Sequence, residues 1–118
     1  LNTVKRKHIL AILSHIRTRM QEDLRIGTSI IPYDILLVVY DNSLNKNKLT
    51  VKALFASLPY SVMGMRYHFN TLIKSGWIEL QYTNADARIK LVKPSGKLLY
   101  QMDIFLEELQ GAFERKLL

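Results

Sequence analysis

Residues 49–80, LTVKALFASLPYSVMGMRYHFNTLIKSGWIEL, constrain the fold more than any other stretch of the chain. Thr50 and Ser61 are hydroxyl residues of the kind that cap helices, and each precedes a run with apolar residues at helical spacing. Val51, Leu54, Phe55 and Leu58 mark the inner side of the first run; Met65, Phe69, Leu72 and Ile73 mark that of the second. Pro59 and Tyr60 break the first helix, so the connection between the two is tight. Ser75-Gly76 stops the second helix, and WIELQY opens a strand at Trp77. Two short helices across a tight turn outline a helix-turn-helix. The outer side of the second helix carries Val62, Met63, Arg66, Tyr67, Asn70 and Lys74, with no acid among them.

Charge extends that pattern beyond the helix. No acidic residue stands between Asp41 and Glu79, while Lys46, Lys48, Lys52, Arg66 and Lys74 all do. The whole chain has 17 Lys and Arg against 10 Asp and Glu, a formal net charge of +7. Such a surplus favours a polyanionic partner, nucleic acid or an anionic membrane surface. At 118 residues the chain is long enough for one domain with a real core. Apolar residues at 48% argue against wholesale disorder. Cysteine is absent, which excludes disulfides and thiolate metal sites and fits a reducing compartment. No apolar run reaches membrane-spanning length. The opening LNTVKRKHILAIL lacks the continuous apolar core and cleavage site of a signal peptide. Its first residue is Leu1 rather than Met, the expectation for a trimmed chain.

The remaining segments frame the motif. From Val4 to Leu24, apolar residues at Ile9, Ile12, Leu13, Ile16, Met20 and Leu24 predict a helix stopped by Gly27. Its opposite side holds Lys5, Arg6, Arg17 and Arg19. Ser29 to Asn42 is apolar nearly all round; Pro32 in a first turn and the segment's length favour helix over buried strand. NSLNKNK is a loop. After WIELQY come a polar tip, TNADA, and a second strand, RIKLV. Lys93-Pro94-Ser95-Gly96 turns the chain into a last helix with an apolar seam at 98, 102, 105, 109 and 112. Leu99, Leu106, Phe113 and Leu117 lie beside that seam, more apolar surface than a small domain needs.

The order helix, helix, short helix, turn, long helix, hairpin, helix resembles the winged helix-turn-helix regulators, most closely the MarR-like family. The resemblance rests on Leu49-Thr50, Ser61, Leu72, Gly76, Trp77 and Ile78, and on an Asp-x-Arg in the wing at Asp86 and Arg88. It covers roughly residues 30–100. Departures are Gly64-Met65 where the family often has Thr-Val, Tyr67 for a basic residue, and a shortened turn into the last helix. The expected fold is mainly α with a small β-hairpin wing. One domain is expected over 1–118, with an N-terminal helix (1–26), a winged helix-turn-helix core (29–93) and a C-terminal helix (95–118).

What the resemblance and the charge pattern together imply is a bacterial-type, sequence-specific regulator of transcription binding double-stranded DNA. The recognition helix 61–75 would enter the major groove, and the wing 77–92 would meet the minor groove or backbone. Val62, Met63, Arg66, Tyr67 and Asn70 are the candidates for base edges: arginine for guanine, asparagine for adenine, Val62 or Met63 for thymine methyls. Lys46, Lys48, Lys52, Ser61, His68, Lys74, Arg88 and Lys90 are the candidates for backbone and wing contacts, with Asp86 bracing Arg88. Ile9, Ile12, Leu13, Ile16, Met102, Phe105, Leu106, Leu109 and Phe113 are the candidates for a homodimer interface.

No catalytic constellation emerges. His8 and His15 lack carboxylates or cysteine at ligand spacing, and Glu107-Glu108 reads as a solvated face. Neither an enzyme, a metal site nor a cofactor is therefore expected, and no membrane partner; a small-molecule effector, known in the family, is left unidentified. The expected location is cytoplasmic, with the nucleoid. The alternative reading is a winged-helix protein–protein interaction module without direct DNA readout; an acid-free outer helix face argues against it.

Overall fold

The computed structural model describes residues 1–83 and 88–117. The described residues form five helices, α1 (Thr3–Asp23), α2 (Ile30–Leu44), α3 (Val51–Ser57), α4 (Val62–Lys74) and α5 (Gly96–Leu117). Two strands, β1 (Ile78–Tyr82) and β2 (Lys90–Pro94), form an antiparallel hairpin between α4 and α5. The fold is thus mainly helical with a two-stranded wing. The chain divides into two units, Thr28–Leu99 and Leu1–Gly27 with Tyr100–Leu118. No helix among the described residues is long and apolar enough to cross a membrane.

Within Thr28–Leu99, side-chain caps start each helix of the motif. Ser29 Oγ accepts from the Ile31 N–H, Thr50 Oγ1 from Ala53 and Ser61 Oγ from Gly64. Such caps are worth about 1 kcal/mol each. α2 is a helix, and its nearly all-round apolar composition follows from burial: Tyr33, Ile35, Leu36 and Val39 are buried while it packs against α3, α4 and β2. Leu54, Met65, Phe69 and Leu72 fill the same core. Each such side chain contributes about 1.5–3 kcal/mol on burial. Phe55 is only half-buried and meets Phe69 edge-on, ring centroids 5.5 Å apart.

The junction of α4 with the wing is fixed by backbone chemistry. Gly76 N–H donates to Ile73 C=O, and Trp77 N–H donates back to Leu72 C=O. This is a Schellman closure, which needs a left-handed residue, and Gly76 has φ +79°. Any other residue would pay about 1–2 kcal/mol there. Trp77 and Leu72 are both buried beneath the turn. Ser95, also buried, ties the far end of the hairpin down: its Oγ donates to Trp77 C=O (2.9 Å) and accepts from Leu98 N–H (3.1 Å). Ser95→Ala removes both bonds and leaves a carbonyl underserved. The expected result is a loss of about 1–2 kcal/mol of stability, measured by chemical denaturation, with helix content unchanged.

The hairpin differs from the sequence expectation in the bounds of its second strand. β2 runs over 90–94 rather than 88–92, pairing Ile78 with Pro94 and Tyr82 with Lys90. Inward residues decide this, since Leu80 opposite Val92 and Ile78 opposite Pro94 place apolar side chains on one face. Lys93 and Pro94 are therefore strand, and only Ser95 remains of the expected turn. On its other edge β2 is met by the segment before α3, where Val92 N–H donates to Leu49 C=O (2.8 Å) and Thr50 bridges Leu91. The TNADA tip, with Asp86, lies outside the described residues except for Thr83.

In the other unit, Asn2 Oδ1 caps α1 by accepting from Lys5 N–H. The helix ends at Leu24, so Gly27 (φ +96°) shapes the link to α2 and is not its stop. Arg19 is not a free cation. Its guanidinium holds Asp23 through two bonds (3.1 and 2.7 Å) and Glu22 through a third (3.0 Å). Glu108 is not simply solvated either: its Oε2 lies 3.7 Å from His15 Nε2, joining α5 to α1.

Candidate nucleic-acid interface

α4 displays two chemically distinct sides. Met65, Phe69 and Leu72 are buried, whereas Arg66, Tyr67, Asn70, Val62 and Met63 are exposed. The five exposed residues fall within an arc of about 140° at 100° per residue. All five base-edge candidates therefore share one solvent-facing surface. Ile73, expected in the core, is half-buried at the border of that surface.

Between α3, α4 and the hairpin runs a cleft of about 780 Å³. Its floor is apolar, from Phe55, Phe69, Leu80 and Ile89, and its walls carry Lys52, Arg66, Asn70, Arg88 and Lys90. The fold thus gathers five sequence-predicted residues from three elements around one concavity, and no carboxylate lines it among the described residues. Lys52 and Arg66 enter no ion pair among the described residues. Lys90 Nζ sits 5.7 Å from the Tyr82 ring centroid, a long cation–π contact.

The other backbone candidates are distributed around this centre. Ser61 Oγ accepts the α4 cap bond from Gly64 N–H through one of its two lone pairs. His68 is half-buried and meets the Tyr67 ring edge-on at 5.1 Å. Lys74 occupies the last turn of α4, where a cation complements the helix dipole. Lys46 and Lys48 do not join the cleft. They line a second one of about 470 Å³ between the hairpin and the end of α2 with its following loop, beside Lys93, Gln81 and Tyr82. The first three residues of the expected NSLNKNK loop continue α2 to Leu44. Lys46 takes a left-handed backbone (φ +56°) in that loop.

Several contributors were not visible in the sequence. Asp34 of α2 accepts a hydrogen bond from Tyr60 in the turn before α4, so one carboxylate does reach the motif from outside the acid-free stretch. That bond to Asp34, with burial and the carboxylate's charge, raises the Tyr60 pKa above its usual value. Lys93 and the exposed Ile89 are further surface contributors. Lys97 Nζ stacks 4.4 Å from the Trp77 ring centroid and donates to Ser75 C=O, bracing the end of α4. Strand alternation could have marked Ile89; nothing local marks Asp34, 26 residues from Tyr60.

The dimerisation candidates separate by burial. Ile9 (40% exposed), Leu13 (53%), Leu106 (41%) and Phe113 (42%) present apolar surface, and Ile16 and Leu109 are half-buried. Ile12, Met102 and Phe105 are buried in the single chain, at 5% exposure or less, and have no surface left to offer a partner. The seam read along the last helix is therefore an inward one. Among the described residues, no group of three His, Asp or Glu side chains is placed to hold a metal ion.

The arrangement defines a winged helix-turn-helix, the fold of the MarR-like transcription regulators. Among solved structures, the chain is similar to that of the S. aureus MepR–DNA complex, with TM-score 0.70 and 14% identity over 94% of this chain and 82% of that one. It is also similar to the transcriptional regulator Tm0710 from Thermotoga maritima (TM-score 0.68, 16% identity, 97% and 78% covered). MarR itself matches at TM-score 0.60 and 14% identity, with 90% and 74% covered. No family model matches the sequence, and no curated protein does.

Proposed function

We propose that the chain is a MarR-like transcription regulator that binds double-stranded DNA sequence-specifically as a homodimer. The observation that carries this reading is the cleft joining α4 to the wing, which among the described residues carries Lys52, Arg66, Asn70, Arg88 and Lys90 on its walls and no carboxylate. A duplex laid along it would bring α4 into the major groove, where Arg66 forks onto guanine O6 and N7 and Asn70 onto adenine N6 and N7. Lys52, Lys74, Arg88, Lys90 and the neighbouring Lys46 and Lys48 would neutralise phosphates, which positions the protein without reading sequence. Support comes from the S. aureus MepR structure, a DNA complex of the same fold.

The homodimer is proposed on the exposed apolar residues of α1 and α5, Ile9, Leu13, Leu106 and Phe113. Two copies of α4 spaced about 34 Å apart would suit a two-fold-related pair of half-sites. The function is binding and no catalytic role is assigned. The test is a fluorescence-anisotropy titration of a labelled random-sequence duplex at low salt. Saturable binding is expected, and its absence would contradict DNA as the partner and favour a protein docking on the same face.

A further inference from the structure

The exposed side of α4 is unusually apolar for a surface beside so much positive charge. Met63 is 83% exposed, Tyr67 67% and Val62 61%. Among the described residues of their own unit nothing covers them, and they interleave around the helix with Arg66 and Asn70. Charge complementarity narrows what occupies this side. Among the described residues the adjoining cleft is lined by four cations and no carboxylate, which suits a polyanion and not an apolar protein groove.

Resting on the DNA-binding reading above, we propose that Val62, Met63 and Tyr67 read thymine 5-methyl groups, so that the half-site is a thymine-rich tract with guanine at the position of Arg66. The chemistry follows from what each base pair shows in the major groove. Guanine, cytosine and adenine present hydrogen-bonding groups, which an aliphatic or thioether side chain leaves unpaired. Thymine alone adds a methyl that such a side chain can cover. Placing Met63 over cytosine or guanine would strip water from polar edges without replacing the bonds. Placing it over thymine buries two apolar groups together. Arg66 lies between Val62 and Met63 in the helical arc, so its guanine falls inside the methyl-bearing tract or at its border.

The test uses the full chain and a duplex enriched from a random library, compared with the same duplex carrying deoxyuridine for every thymine of both half-sites. Losing one contacted methyl is expected to weaken binding about fourfold, from the transfer free energy of one such group. Met63→Ala is the matching variant, and at 83% exposure the side chain contributes no core packing. It should bind thymine and deoxyuridine duplexes with a smaller difference than the parent shows. Equal affinity of the parent for both duplexes would overturn the proposal while leaving DNA binding intact. An undiminished difference in Met63→Ala would overturn the assignment to Met63. Failure of the parent to bind either duplex, or any random-sequence DNA at low salt, would overturn the DNA-binding reading itself.

Discussion

Arg66→Ala is expected to weaken binding to the cognate duplex by about 10- to 100-fold for each half-site read, the value of one bidentate contact to guanine. In a dimer both recognition helices carry the change, so the combined loss is larger. The fold should be indifferent. Arg66 is exposed, on the side of α4 away from Met65, Phe69 and Leu72, and enters no ion pair among the described residues. Circular dichroism and thermal melting of the variant should therefore match the parent. Specificity provides the sharper readout. Discrimination at one base pair of the half-site should relax, while binding to random DNA falls by only a few-fold. Arg66→Lys should restore charge and general affinity without the fork that fits guanine, leaving discrimination low. Uniform weakening across all sequences would place Arg66 on a phosphate instead.

Leu106→Lys is the second large effect. Leu106 is 41% exposed on α5, in line with Leu99 and Phe113 at intervals of seven residues, an outward stripe distinct from the buried one at Leu98, Met102 and Phe105. A lysine there costs the single chain little and would place a charge from each protomer in the proposed homodimer interface. Sedimentation should then show monomers where the parent sediments as a dimer. Binding should fall by about 10²- to 10⁴-fold, because a linked second half-site supplies that much avidity. Leu109→Lys is a less clean variant, since Leu109 is half-buried and its loss also costs packing. A parent that already sediments as a monomer, or a dimer unmoved by Leu106→Lys, would remove α5 from the interface.

What the sequence disclosed and what it withheld divide along a physical line. The helix-turn-helix was legible because its signals are local. Thr50 and Ser61 cap through their own side chains, and Gly76 supplies the left-handed residue that the α4 exit demands. The outer side of α4 was legible too, since helical periodicity alone separates Arg66 and Asn70 from Met65 and Phe69. Features set by distant partners were not. Where the second strand begins depends on which apolar residue faces Leu80 across the hairpin, so it lies at 90–94, two positions beyond the expected 88–92. Periodicity found the apolar stripes of the first and last helices but not which of them the chain covers itself. Met102 and Phe105 consequently moved from interface to interior. The bond from Tyr60 to Asp34 and the approach of His15 to Glu108 join residues far apart in sequence, where no spacing rule reaches. The cleft is of the same kind. Each of its cations was identifiable singly, yet their convergence over Phe55, Phe69 and Leu80 exists only in the fold.

The central claim, that the surface formed by α4 and the wing binds the phosphate backbone and grooves of DNA, is tested most directly by salt dependence. Anisotropy titrations of a random-sequence duplex across a salt series give the number of phosphates neutralised, at about −0.9 in slope of log K against log salt for each. Six side chains per protomer are proposed on the backbone: Lys46, Lys48, Lys52, Lys74, Arg88 and Lys90. The slope should then lie between about −5 for one engaged protomer and about −11 for two. Lys52→Ala should make it shallower by about one for each protomer engaged. A flat salt dependence, or no binding even at the lowest salt, would contradict the account.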